Sequence, residues 1–161
     1  MWADLAVRGS IAATTFSWAA AEWLRWRQPG RATVARALWT TGAILLVVHA
    51  VAVSHYIHHW SQDAALEHTA RQTAALTGLH WGGGLYVNYA FTSLWLWDAA
   101  VWWVNPVRYA RRSKRSRALL LAIFLFMFVN GGIVFAQGPA RILGLTAVGV
   151  VLWARLRSEA G

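Results

Sequence analysis

The feature that most constrains this chain is a series of long apolar runs separated by short, arginine-rich turns. Residues 37–59 (ALWTTGAILLVVHAVAVSHYIHH), 80–104 (HWGGGLYVNYAFTSLWLWDAAVWWV) and 118–136 (ALLLAIFLFMFVNGGIVFA) are each long enough, as helices, to cross the hydrocarbon of a bilayer. Residues 140–155 (ARILGLTAVGVVLWAR) form a shorter run. A weaker fifth, residues 6–24 (AVRGSIAATTFSWAAAEWL), is rich in Ala, Ser and Thr, with Arg8 at its start and Glu22 near its end. It lacks a basic segment followed by a compact apolar core, so it reads as a helix rather than a cleaved signal. Charged residues make up 13% of the 161, about half the usual share of a soluble domain. The expectation is an all-α integral membrane protein. It forms a single polytopic domain over 1–161, a bundle of five transmembrane helices, or four if residues 6–24 lie along the surface.

The basic residues set an expected orientation. Arg25, Arg27, Arg31 and Arg36 lie between the first two runs, Arg108, Arg111, Arg112, Lys114, Arg115 and Arg117 follow the third, and Arg155 and Arg157 follow the last. With five alternating spans, all of these fall on one side, which is the positive-inside pattern. The chain is then a multi-pass protein of the cell membrane, with its N-terminus outside and its C-terminus cytoplasmic. The net charge of +9 is explained by topology and gives no reason to invoke nucleic acid as a partner. The run 108–117 (RYARRSKRSR) suits anionic lipid head groups. Trp23, Trp26, Trp39, Trp102, Trp103 and Trp153 fall near the expected inner boundary, and Trp60 and Trp81 near the outer one. Indole favours the interface, having an apolar body and one N–H donor. Trp95 and Trp97 lie deeper.

The connection at 60–79 is the one sizeable extramembrane segment. Ser61 is a candidate N-cap, Asp63 and Glu67 fall early, and Gly78 is a stop, so a short helix is expected over about 61–77. Leu66, Ala70, Thr73 and Leu76–Thr77 give it one mildly apolar face, which would lie across the outer ends of the bundle.

All six histidines fall between positions 49 and 80: His49, His55, His58, His59, His68 and His80. On a continuous helix, His55 shares a face with His58 and His59. His49 falls about 80° from His59 and about 180° from His58. Imidazole is a ligand for Cu, Zn and Fe, and two histidines on facing helices can ligate haem iron. The absence of cysteine leaves these histidines, with Glu67, as the main candidate metal ligands. The run His55-Tyr56-Ile57-His58-His59 resembles the H-x-x-H-H histidine box of the membrane-bound fatty-acid desaturase and hydroxylase superfamily. In that family such boxes hold a non-haem diiron centre. The family carries several boxes on the cytoplasmic side, whereas this chain carries one, on the expected outer side. The resemblance therefore implies transition-metal binding rather than a complete diiron site.

Other polar groups at membrane depth need partners. Asn88 in the third run and Asn130 in the fourth reach depths similar to that of His49, and with Tyr86 and Tyr89 they are expected to line one cavity or support the histidines. Interhelical hydrogen bonding is the plainer role for the two asparagines. Glu22 has Arg25 at i+3. Asp98 has no basic residue within a turn and needs a partner from another helix, with Arg25, Arg36 and Arg108 as candidates. Gly82–Gly84 and Gly131–Gly132 permit close approach of a backbone or a ligand. No Ser-His-Asp or H-E-x-x-H arrangement is visible, so an enzymatic role is neither indicated nor excluded. The leading expectation is a small membrane protein with a histidine-rich transition-metal or haem site near the extracytoplasmic face, serving redox chemistry or metal handling. Two further expectations are a non-catalytic accessory or assembly subunit of a larger membrane complex, partnered by another membrane protein or by a second copy, and a small proton-coupled transporter using Asp98 and His49.

Overall fold

The structure is a computed structural model that describes residues 2–159. Its elements, in order, are α1 (Trp2–Arg27), a 3-10 turn (Pro29–Arg31), α2 (Ala32–Tyr56), α3 (Gln62–Thr77), α4 (Gly84–Val104), α5 (Pro106–Ala110), α6 (Lys114–Val129) running into a π-helical turn (Asn130–Val134), and α7 (Pro139–Glu159). There is no strand among the described residues. Three helical segments, Pro29–Tyr56, Lys114–Val134 and Pro139–Ser158, are long and apolar enough to cross a membrane.

The helix rich in Ala, Ser and Thr packs between two apolar ones. α1 packs against both α2 and α7. It buries Ser10, Thr14, Thr15, Ser17 and Glu22 alongside Trp18, Ala19 and Ala21. A helix enclosed by protein need not be apolar, provided its polar groups are satisfied. Thr14 Oγ1 donates to the Ser10 carbonyl at 2.8 Å and Thr15 Oγ1 to the Ile11 carbonyl at 2.8 Å, so these hydroxyls are satisfied by the turn before them.

The core is aromatic. Trp18 stacks on Phe128 with ring centroids 4.0 Å apart, and Trp39 stacks on Phe124 at 4.6 Å. Phe91 and Trp95 of α4 close the cluster edge-on against Phe124. Such geometries add about 0.5–1.5 kcal/mol per pair beyond area burial. Trp39 and Trp102, expected at the interface, are buried instead, at 1% and 7% exposure. Both face the core rather than the helix exterior. Trp103, one residue on from Trp102, is exposed and donates its indole N–H to Thr40 Oγ1 at 2.8 Å.

Two glycines allow this packing. A Cβ on Gly42 would lie 2.7 Å from Trp95 Cζ2, so α2 leaves room for the α4 indole. A Cβ on Gly144 would lie 2.2 Å from the Gly132 carbonyl oxygen, so α7 meets the π turn backbone to backbone.

The connecting helix forms as its caps dictate. Ser61 Oγ accepts from the Ala64 N–H at 3.2 Å, and Gly78 ends α3 in the left-handed region at φ 77°. Its inward face is Ala65 and Ala70, with Leu66, Thr69 and Thr73 half-buried, whereas Leu76 and Thr77 are exposed. The Gly82 turn passes the α3 backbone so closely that a Cβ there would lie 2.6 Å from the Leu66 carbonyl oxygen. These glycines therefore admit a backbone.

Candidate functional site

The histidine-box segment does not continue α2. The helix ends at Tyr56, and the chain then turns through His59 and Trp60, both with positive φ (49° and 63°). The angular relations expected on a continuous helix therefore fail beyond Tyr56. His58, expected opposite His49, instead lines the same cavity as His49. His59 and His55 are exposed, and His55 Nδ1 accepts from the Trp60 indole at 3.3 Å. His68 on α3 packs edge-on against His58, with ring centroids 5.2 Å apart. His80 Nε2 and Arg71 Nε lie 3.4 Å and 3.6 Å from the same Glu67 oxygen on the surface. Among the described residues, no group of three or more His, Asp or Glu gathers in a way that can hold a metal ion.

The shared cavity has a volume of about 260 Å³ and lies among α1, α2, α3, α4 and the π turn. His49, His58, Asn88 and Tyr89 contribute polar edges, and Phe91, Met127 and Phe128 contribute apolar wall. Asn130 is not part of its lining; its side-chain amide donates to the Phe126 carbonyl at 2.8 Å, while the neighbouring Gly131 and Gly132 do line it. Tyr86 faces a separate surface groove with Glu67 and Trp81, and Tyr89 donates its hydroxyl to Gln62 Oε1 at 3.2 Å. The π turn in the cavity wall is notable, since single π turns within α-helices occur frequently at functional sites.

His49 is the best-defined group of the cavity. Its Nδ1 lies 3.0 Å from the Val7 carbonyl and 3.3 Å from Ser10 Oγ, both on α1. A carbonyl can only accept, so Nδ1 carries the proton and donates. The neutral ring then presents Nε2 as an unprotonated acceptor with no protein partner among the described residues. Thr14, Thr15 and Thr92 also line the cavity; their hydroxyl protons are committed to backbone carbonyls, leaving oxygen lone pairs for a ligand. His58 lies beyond the end of α2, and burial lowers its pKa, with the neighbouring His68 and His59 adding to the effect. It therefore favours the neutral form too.

A second set of polar groups is buried at the opposite end. Asp98 on α4 is fully buried, accepting from the Tyr109 hydroxyl at 2.8 Å and from Arg112. Tyr109 stacks on Trp102 at 4.5 Å, and Arg112 lies over the Tyr109 ring at 3.9 Å. Glu22 accepts from Arg25 at 2.7 Å and from the Trp26 indole at 2.8 Å. Arg25 in turn lies 5.0 Å above both Trp39 and Trp102. The direct hydrogen-bond partners of Asp98 are therefore Tyr109 and Arg112 rather than Arg25, Arg36 or Arg108. The chain reverses at Asn105–Pro106, and one turn of α5 brings Tyr109 and Arg112 back beneath α4. The Asn105–Pro106 turn was the available signal for this reversal. With two carboxylates and two guanidiniums, the assembly balances its own charge, which suits a structural clamp.

No family model, no curated protein and no solved structure matches this chain.

Proposed function

We propose that the chain is a five-span membrane protein that binds a small hydroxylated amphiphile in the cavity at its outer end. α1 and α4, at 26 and 21 residues, are long enough to join the three apolar helices as spans. Ser10, Thr14, Thr15, Ser17 and Glu22 of α1 are directed inward, its exposed Asp4 and Arg8 lie near the helix start, and Asp98 on α4 is neutralised by Arg112. With twelve of the fifteen basic residues on one side of such a bundle, the N-terminus is outside and the C-terminus cytoplasmic.

The observation that carries the ligand reading is His49 Nε2. It is an acceptor fixed by its ring's other nitrogen, inside a cavity whose remaining walls are mainly apolar. An O–H donor on a ligand would meet Nε2, and an apolar body would meet Phe91, Met127 and Phe128. At 260 Å³ the cavity falls just below the usual range of about 300–1,000 Å³ for ligand pockets, so it suits a single head group. A second reading keeps a transition metal. An imidazole that donates one nitrogen to a backbone carbonyl is oriented as metal-ligating histidines are. Only His49 and His58 line the cavity, however, so further ligands would have to come from a bound small molecule.

The test is to extract the protein into native-lipid nanodiscs without chelator, then analyse organic extracts by mass spectrometry and the protein for metals. A hydroxylated amphiphile retained at near-stoichiometric level, and lost in His49→Leu, supports the reading. Stoichiometric Cu, Zn or Fe, lost in the same variant, supports the metal alternative. If the native protein retains neither, or retains the amphiphile equally in both forms, the ligand-site reading fails.

A further inference from the structure

The polar clamp beneath α4 leaves two arginines unused. Arg112 is committed to Asp98 and to the Tyr109 ring. Arg108 and Arg111 have no ion pair among the described residues, and both are exposed. Together with Asn105 and Val107, all three arginines line a surface hollow of about 470 Å³. The hollow is held in shape. Asn105 Oδ1 accepts from the Arg108 N–H at 2.9 Å, Pro106 fixes the first residue of α5, and buried Tyr109 anchors the turn against Trp102. Beside it, Val104 and Val107 are 85% and 61% exposed. Val104 is the last residue of α4, so, resting on the five-span reading proposed above, these apolar side chains sit where the helix leaves the bilayer.

We propose that this hollow is a binding site for the phosphate of an anionic phospholipid. Arg108 and Arg111 supply two positive charges that no carboxylate among the described residues offsets. Guanidinium forks match phosphate oxygens bidentately, which a diffuse lysine-rich surface does not. Arg112, oriented by Asp98, fixes the rear wall. Val104 and Val107 lie where acyl chains descend from the head group, and this favours a lipid over a soluble phosphate. Arg115 and Arg117 belong to the same basic run but lie outside the hollow, on α6.

The experiment is native mass spectrometry of the full-length protein exchanged with phosphatidylglycerol or phosphatidylcholine, with the Arg108→Gln/Arg111→Gln double variant compared to Arg115→Gln/Arg117→Gln. Both variants remove two charges from exposed positions, and circular dichroism confirms that each stays helical. The native protein is expected to retain phosphatidylglycerol preferentially. The Arg108/Arg111 variant loses that preference by roughly twenty-five-fold, at about fivefold per basic residue, and the Arg115/Arg117 variant keeps most of it. Equal losses in the two variants would show a diffuse surface field and overturn the site. No preference between the two lipids in the native protein would also overturn it. Displacement of bound phosphatidylglycerol by millimolar inorganic phosphate alone would overturn the lipid assignment in favour of a soluble phosphate.

Discussion

Arg112, in the turn after α5, donates to the carboxylate of Asp98, which is fully buried on α4. This pair, with the Tyr109 hydroxyl on the other carboxylate oxygen, ties the α4–α5 turn to the base of the helices. Removing one member of a buried pair leaves an uncompensated charge. Asp98→Asn is expected to destabilise the protein by about 2–4 kcal/mol, less than a fully enclosed pair because Arg112 is partly exposed. Denaturant unfolding in micelles measures this. A loss below about 0.5 kcal/mol, the level of an ordinary surface change, would remove the clamp from the account.

Tyr109 lies outside the long helices, and its pKa is raised above the ordinary value of 10.0, first by burial and then by the neighbouring Asp98. The folded state thus favours the protonated phenol. The stability it contributes is fully present below pH 10 and is lost as pH rises through the folded pKa. Ultraviolet titration of folded protein should show one tyrosine ionising late, coincident with loss of structure. That late step should be missing from Tyr109→Phe, and its persistence there would assign it elsewhere.

His58 titrates in the opposite sense. Its folded pKa is lowered, chiefly by burial, with His68 and His59 contributing. Its stabilising effect is present above the ordinary value of 6.5 and is lost as pH falls through the folded pKa. Protonation would place a charge against His68, on the face of α3 that rests on the bundle. Hydrogen exchange should therefore show α3 amides less protected at pH 5 than at pH 7.5, and His58→Gln should flatten that difference. An unchanged pH response in the variant counts against this account.

Glycine substitutions separate close approach from open space. Gly144→Ala places a Cβ 2.2 Å from the Gly132 carbonyl oxygen, a backbone atom that cannot swing aside. The expected cost is about 1–3 kcal/mol of overpacking, seen as a lowered Tm. Gly149→Ala, on the same helix with nothing within 4 Å, should be neutral or slightly stabilising. Equal responses at the two sites would be inconsistent with the backbone contact between α7 and the π turn.

Gly131 lines the outer cavity, and a Cβ there meets nothing within 4 Å. Gly131→Leu should fill space meant for a ligand while changing stability by less than about 1 kcal/mol. Retained amphiphile measured by mass spectrometry should fall sharply while Tm holds. Full retention with the leucine in place would put the ligand outside this cavity.

Much of the helical outline is legible in the residues. Ser61 and Gly78 delimit α3 because caps act through neighbouring backbone groups. The Glu22–Arg25 pair is equally local, one turn apart on α1. The relation of His49 to the box histidines is not, because it depends on α2 stopping at Tyr56 and on a turn with two positive-φ residues that no glycine signals. Trp39 and Trp102 illustrate a second limit. Position along a span can be counted, but an indole facing a core and one facing a lipid interface look alike in sequence when almost every face of the helix is apolar.

The sequence by itself determined that this chain is helical, that it carries segments apolar enough to cross a membrane, where the short helix begins and ends, and which polar groups would need partners at depth. These follow from local hydrogen bonding and from burial summed along each segment, both carried by contiguous residues. Only the tertiary structure decided which partners those groups found. It brought α5 back so that Arg112 and Tyr109 meet Asp98. It packed α1 on α2 so that Val7 fixes the His49 ring, and it brought His58 to the His49 cavity and to His68 without gathering three metal-ligating groups among the described residues. Such hydrogen-bonded pairings join residues 11 to 42 positions apart, and they depend on how each helix rotates about its axis as its side chains interlock.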